Sequence, residues 1–80
     1  MKVPRDISAQ QIIRLLSKLG YSQTRQVGSH IRLTIIKERN AFHITIPNHN
    51  PIKIGTLNSI LKDASLQLKM SKEELIKSLK

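Results

Sequence analysis

The chain has 80 residues and no cysteine, which excludes a disulfide framework and a thiolate metal centre. A domain of this size buries only about 60% of the surface its unfolded form exposes, so the expectation is one domain over 1–80 of modest stability. Fourteen Lys and Arg against five Asp and Glu leave a formal charge of +9, a field that attracts polyanions, nucleic acid above all. No apolar run approaches a membrane span. The opening MKVPRDIS lacks the apolar block of a signal peptide, and the basic residues are dispersed rather than gathered on one amphipathic face. A cytoplasmic protein that does not engage membranes is expected.

The first element is a helix over 8–20, SAQQIIRLLSKLG. Ser8 with Gln11 three places on makes a capping box, Gly20 marks the stop, and Ile12, Ile13, Leu15, Leu16 and Leu19 form the buried face. After Gly20 and Tyr21, the polar stretch SQTRQV reads as a short exposed strand. From His30 the period changes to two: Ile31, Leu33 and Ile35 take one face, and His30, Arg32, Thr34 and Ile36 the other. KERN is the turn. In the next strand Phe42, Ile44 and Ile46 face the core, His43 and Thr45 face away, and Pro47 ends the ladder.

A two-residue turn at Arg39 and Asn40, or a four-residue loop at 38–41, makes opposed positions sum to 79, which places Thr34 across from Thr45 and His30 across from His49; a slip of two residues would keep both faces and break that pairing. PNHNPIKIG reads as a loop. Thr56 is expected to cap a second helix with Leu57, Ile60, Leu61 and Ala64 as its apolar stripe. Ser71 and Glu74 form a second capping box, opening a short helix through Leu75, Ile76 and Leu79. The fold class is therefore α+β, a three-stranded antiparallel sheet with its helices on one face.

The five carboxylates, Asp6, Glu38, Asp63, Glu73 and Glu74, are scattered through caps, turns and helices. They suggest no Mg²⁺ site, and the three histidines lack Cys or carboxylate partners at zinc spacing. No Gly-rich nucleotide loop precedes a helix. No metal and no cofactor are expected. A general acid or base remains, and histidine, with an unperturbed pKa of about 6.5, suits proton transfer at neutral pH. One chemistry needs little else: RNA cleavage by its own 2′-hydroxyl, with nearby Arg and Lys stabilising the charge that develops on the phosphorane. On residue types alone, His30 is either that catalyst or a solvated histidine at a strand start.

GSH at 28–30 before an alternating strand, followed by IPNHNPIKIGTLNSIL at 46–61, resembles the HicA toxins of HicAB toxin-antitoxin modules. The resemblance runs from the first helix through Ala64. It implies a fold like that of double-stranded-RNA-binding domains and ribosome-independent cleavage of mRNA with His30 as the catalytic residue. Gly28 would permit the tight turn, and Ser29 would bond locally or contact phosphate. His49 matches the family's second histidine, with substrate positioning and acid catalysis both open as roles. A HicB-type antitoxin would be the protein partner. Departures are ASL at 64–66 where the family usually has Ala-Gly-Leu, the additional QLKM before Ser71, and Asn58 at a position often basic.

Among the other basic residues, Arg32 reads as either a phosphate contact or a solvated strand position. Lys53 and Lys62, flanking the second helix, read as guides for the RNA backbone or as solvated helix charges, and His43 as either an RNA contact or a half-exposed filler. The competing reading is a non-catalytic RNA-binding module that recognises A-form shape. It explains the charge and the element order, but not a histidine directly behind Gly-Ser. With Tyr21 and Phe42 as the aromatics, recognition of single strands by base stacking is disfavoured. A third reading is a domain that acts solely through binding another protein.

Overall fold

The computed structural model describes residues 3–79. Its elements run α1 (Ala9–Lys18), β1 (Ser22–Val27), β2 (His30–Lys37), β3 (Asn40–Pro47), α2 (Ile54–Leu68) and α3 (Lys72–Lys77). The strands form an antiparallel sheet in the order β1-β2-β3. This is the α+β arrangement that the sequence pattern predicts.

Both predicted capping boxes form. Ser8 Oγ accepts the Gln11 N–H and the Gln11 side chain accepts the Ser8 N–H, at 3.1 and 2.8 Å. Ser71 and Glu74 repeat the arrangement at α3. Each pair satisfies two of the donors that a helix start leaves unbonded. Ile12, Leu15 and Leu16 of α1, the inward residues of β2 and β3, Leu57, Ile60, Leu61 and Ala64 of α2, and Leu75 and Leu79 close one core, with Ile13, Leu19 and Ile76 packed at its margin.

The β2–β3 register differs from the expected one by two residues. Lys37 pairs with Asn40 and opposed positions sum to 77, so Thr34 faces His43, and Pro47, not His49, lies across from His30. Packing explains the choice. This register matches Ile31 with Ile46, Leu33 with Ile44 and Ile35 with Phe42, three apolar cross-strand pairs, whereas the other sets Ile31 against Asn48 and keeps only two. The turn consequently falls on Glu38 and Arg39, both with positive φ, 52° and 68°, as a type I′ hairpin demands. Neither residue favours that region, at a cost of about 1–2 kcal/mol each. The double variant Glu38→Asn, Arg39→Gly is expected to raise stability by about 1–2 kcal/mol in urea unfolding; a turn at Arg39–Asn40 would gain nothing from it.

Two further expectations are corrected. Phe42 has the inward phase but lies at the hairpin end, 36% exposed, beside an open groove that it shares with Leu66 of α2. Thr56 is not the cap of α2. The helix starts at Ile54 with Lys53 as an N-cap that makes no side-chain bond, and the Leu57 N–H already donates to the Lys53 carbonyl at 2.8 Å. Ile52 and Leu57 are both buried. Five residues of helix span about 7.5 Å, which keeps both anchors in one small core, against about 16 Å for extended chain. The QLKM residues extend α2 to Leu68, and Lys69 ends it in the left-handed region. Asn58 accepts a hydrogen bond from the Lys72 ammonium of α3.

Tyr21 is buried at the junction of α1 and β1, and its hydroxyl donates to Gln67 Oε1 at 2.6 Å. Burial, then the charge of Asp63, pushes its pKa up from 10.0 to about 12. The folded state thus holds this proton more tightly than the unfolded chain. The contribution is complete below pH 10 and is lost as the pH rises through about 12. Alkaline unfolding midpoints should fall across that window, and Tyr21→Phe should flatten the fall.

Candidate functional site

The helices cover the sheet face carrying Ile31, Leu33, Ile35, Ile44 and Ile46. Alternation then commits His30, Arg32, Thr34 and Ile36 of β2 to the opposite, outer face, beside their partners Thr45 and His43 of β3 and Arg25 and Val27 of β1. The β1–β2 connection is the two-residue turn Gly28–Ser29, closed by the Val27–His30 pair. Gly28 has φ +57° and a Cβ there would meet nothing within 4 Å, so glycine is required by the turn and not by crowding. His30 is therefore the first residue of β2, exposed and directed outward.

A bulge shapes β1. Gln23 pairs with Leu33 and Arg25 with Arg32, leaving Thr24 as an extra residue. The Thr24 hydroxyl lies 2.7 Å from that of Thr34. Thr24 and Arg25 thus share the outer face, which consecutive residues of a regular strand cannot do.

Arg25, Val27, His30, Arg32 and Thr45 together line an open recess of about 270 Å³. Arg25 stands directly across from Arg32, a like-charge pair that opposes strand pairing. Among the described residues the ion pair within 4 Å is Lys77–Glu73 on α3, so no carboxylate neutralises the recess. Two guanidinium groups and an imidazole that share an unpaired positive field favour an anion with several acceptor oxygens, and phosphate fits the planar donor fork of arginine. No cluster of three or more His, Cys, Asp or Glu is placed to hold a metal ion among the described residues.

Of the residues singled out in the sequence, the recess brings together His30 and Arg32, with Gly28 and Ser29 in the turn that joins its residues Val27 and His30. His49 stays outside it. The Asn48 N–H donates to the Ser29 carbonyl at 2.6 Å and the His49 N–H to the Pro47 carbonyl at 2.8 Å, so His49 is exposed at the same end of the sheet without entering the recess. Lys53 is exposed at the start of α2 and also lies outside the recess. Arg25 and Thr45 are additions. Thr45 follows from alternation once the register is known, whereas Arg25 needs the bulge, which nothing in SQTRQV announces. A larger groove of about 430 Å³ at the other end of the sheet, between Ile36, Phe42 and Leu66, holds no histidine.

No helix among the described residues is long and apolar enough to cross a membrane. Neither the curated proteins nor the solved structures compared with the chain match it. The family model of the HicA toxin of bacterial toxin-antitoxin systems matches residues 9–66, a span running from the first residue of α1 to the last turns of α2 and including every residue of the recess. The chain belongs to the HicA toxin family of bacterial toxin-antitoxin systems.

Proposed function

We propose that this toxin is a metal-independent, ribosome-independent endoribonuclease that cleaves mRNA at the His30 recess. The observation that carries the reading is one exposed imidazole beside two unneutralised arginines in the same open recess. Arg25 and Arg32 take the non-bridging oxygens of the scissile phosphodiester. His30 removes the 2′-hydroxyl proton, and the 2′-oxygen attacks phosphorus. The bond to the 5′-oxygen then breaks, and that oxygen takes a proton from solvent. The products are a 2′,3′-cyclic phosphate and a free 5′-hydroxyl. The arginines stabilise the additional negative charge of the phosphorane, a placement of fixed donors that gains strength as that charge develops.

Ser29 and Thr45 border the bound phosphate. His49 and Lys53, in the connection between β3 and α2, guide the flanking strand. The order helix, three strands, helix supports a likeness to double-stranded-RNA-binding domains, and no cofactor is called for. An antitoxin of the HicB type neutralises the activity by covering the recess, for which an acidic surface complements the charge of +9.

The test is incubation of a defined RNA, and of its 2′-deoxy counterpart, with purified protein in excess EDTA. Cleavage confined to RNA, leaving 2′,3′-cyclic phosphate ends, is the expected result. If both strands bind and both remain intact, the non-catalytic RNA-binding module takes its place.

A further inference from the structure

A second polar group occupies the outer face away from the recess. Thr34 Oγ1 lies 2.7 Å from Thr24 Oγ1 on one side and 2.9 Å from His43 Nδ1 on the other, a chain crossing all three strands. His43 is held from the other side as well. Its main-chain carbonyl accepts from Gln67 Nε2 at 3.3 Å, and Gln67 in turn accepts from the buried Tyr21 hydroxyl. Exposed hydroxyls and an exposed imidazole need no protein partner, because water would serve. What the chain achieves is to occupy Nδ1 and fix the ring, leaving Nε2 as its free polar atom.

The Thr34–His43 pair lies two positions along from Arg32–Thr45, and His43 is four residues from Pro47, the partner of His30. At about 3.3 Å per residue that is roughly 13 Å. Proton transfer requires contact at about 2.6–3.2 Å, so His43 cannot serve a phosphate held at His30. Arg32 and Thr45 bridge the interval on the same face.

Resting on the ribonuclease reading, we propose that Thr24, Thr34 and His43 form a second subsite, in which His43 Nε2–H donates to a phosphodiester oxygen of the RNA strand leaving the His30 recess. His43 is a positioning residue: it holds the strand in line and does no chemistry. Because the acceptor is a phosphate oxygen and not a 2′-hydroxyl, the subsite takes RNA and DNA alike.

Imidazole nitrogen–proton correlation spectra of ¹⁵N-labelled protein test this directly. His43 should show a single ring form with the proton on Nε2, which Thr34→Val converts to a mixture. An uncut 2′-deoxy oligonucleotide should shift that Nε2 resonance. In cleavage assays, His43→Ala should raise KM about tenfold, the equivalent of one charge-assisted hydrogen bond, with kcat within about twofold. A fall in kcat like that caused by replacing His30 overturns the proposal. So does an Nε2 resonance that RNA shifts and DNA does not, or one that neither shifts. If wild-type protein cuts no RNA, the ribonuclease reading fails by itself, and the DNA titration still decides whether the subsite exists.

Discussion

With His30 replaced by alanine, RNA cleavage should fall by a factor of about 10²–10⁴, the usual contribution of one positioned general base, while the unfolding transition stays where it was. The two halves of this expectation have separate origins. His30 is exposed, and none of the side-chain hydrogen bonds of the described residues involves its ring, so its removal should change stability by no more than about 0.5 kcal/mol. Its proposed task is proton removal, for which neither a methyl group nor an amide substitutes. His30→Gln should therefore be about as inactive as His30→Ala while still binding RNA, since both arginines of the recess remain. Activity measured beside circular dichroism and binding to the uncut 2′-deoxy strand separates these effects. An alanine variant that cuts as fast as wild type would remove His30 from the mechanism.

Leu33→Ala should act in the opposite sense, sparing the recess residues and undermining the frame. Leu33 is the middle of the central strand, 0% exposed, between Gln23 and Ile44. Emptying such a site costs about 2–5 kcal/mol. The whole fold of a chain this length is worth about 4–12 kcal/mol, from about 0.05–0.15 kcal/mol per residue. The variant should thus melt about 8–40 °C lower, at about 4–8 °C per kcal/mol for a small domain. Ile36→Ala on the same strand is the control. Ile36 has the outward phase and is 66% exposed, and its loss should move the midpoint by no more than a few degrees, about 0.5 kcal/mol. Equal effects of the two substitutions would contradict the assignment of faces on β2.

The features most legible in the sequence were those that a few neighbouring residues decide. Ser8 with Gln11 and Ser71 with Glu74 announce helix starts because both partners of each bond lie within one turn. The alternation of Ile31, Leu33 and Ile35 separates core from outer face in the same local way. Register is a long-range property. The shift of two residues preserves both faces, so periodicity cannot detect it, and KERN has no glycine to mark which two residues make the turn. Counting apolar cross-strand pairs would have found the observed register. The same error set His49 against His30 and hid the Thr34–His43 contact. Thr56 failed as a cap because the burial of Ile52 fixed where α2 begins, and a good capping side chain could not override it. In the recess, the Gly-Ser-His stretch and Arg32 were readable. Arg25 was not, since a bulge is a property of the pairing and leaves no mark in one strand alone.

β1 is exposed along all six of its residues and contributes none to the core. Elements with little buried apolar area open at the lowest free energy, so amide hydrogens on β1 should exchange well before those at the centre of β2. Arg25 and Val27 stand on β1, while His30, Arg32 and Thr45 stand on the two strands that pack against the helices. The recess accordingly has one wall on strands packed against the helices and one on a strand that contributes nothing to the core. Fraying of β1 would carry Arg25 away from Arg32 and relieve their mutual repulsion, and an anion bound in the recess would draw them together. Occupancy of the recess and order in β1 are in this way a single equilibrium, and a ligand there should slow exchange across the strand as a unit.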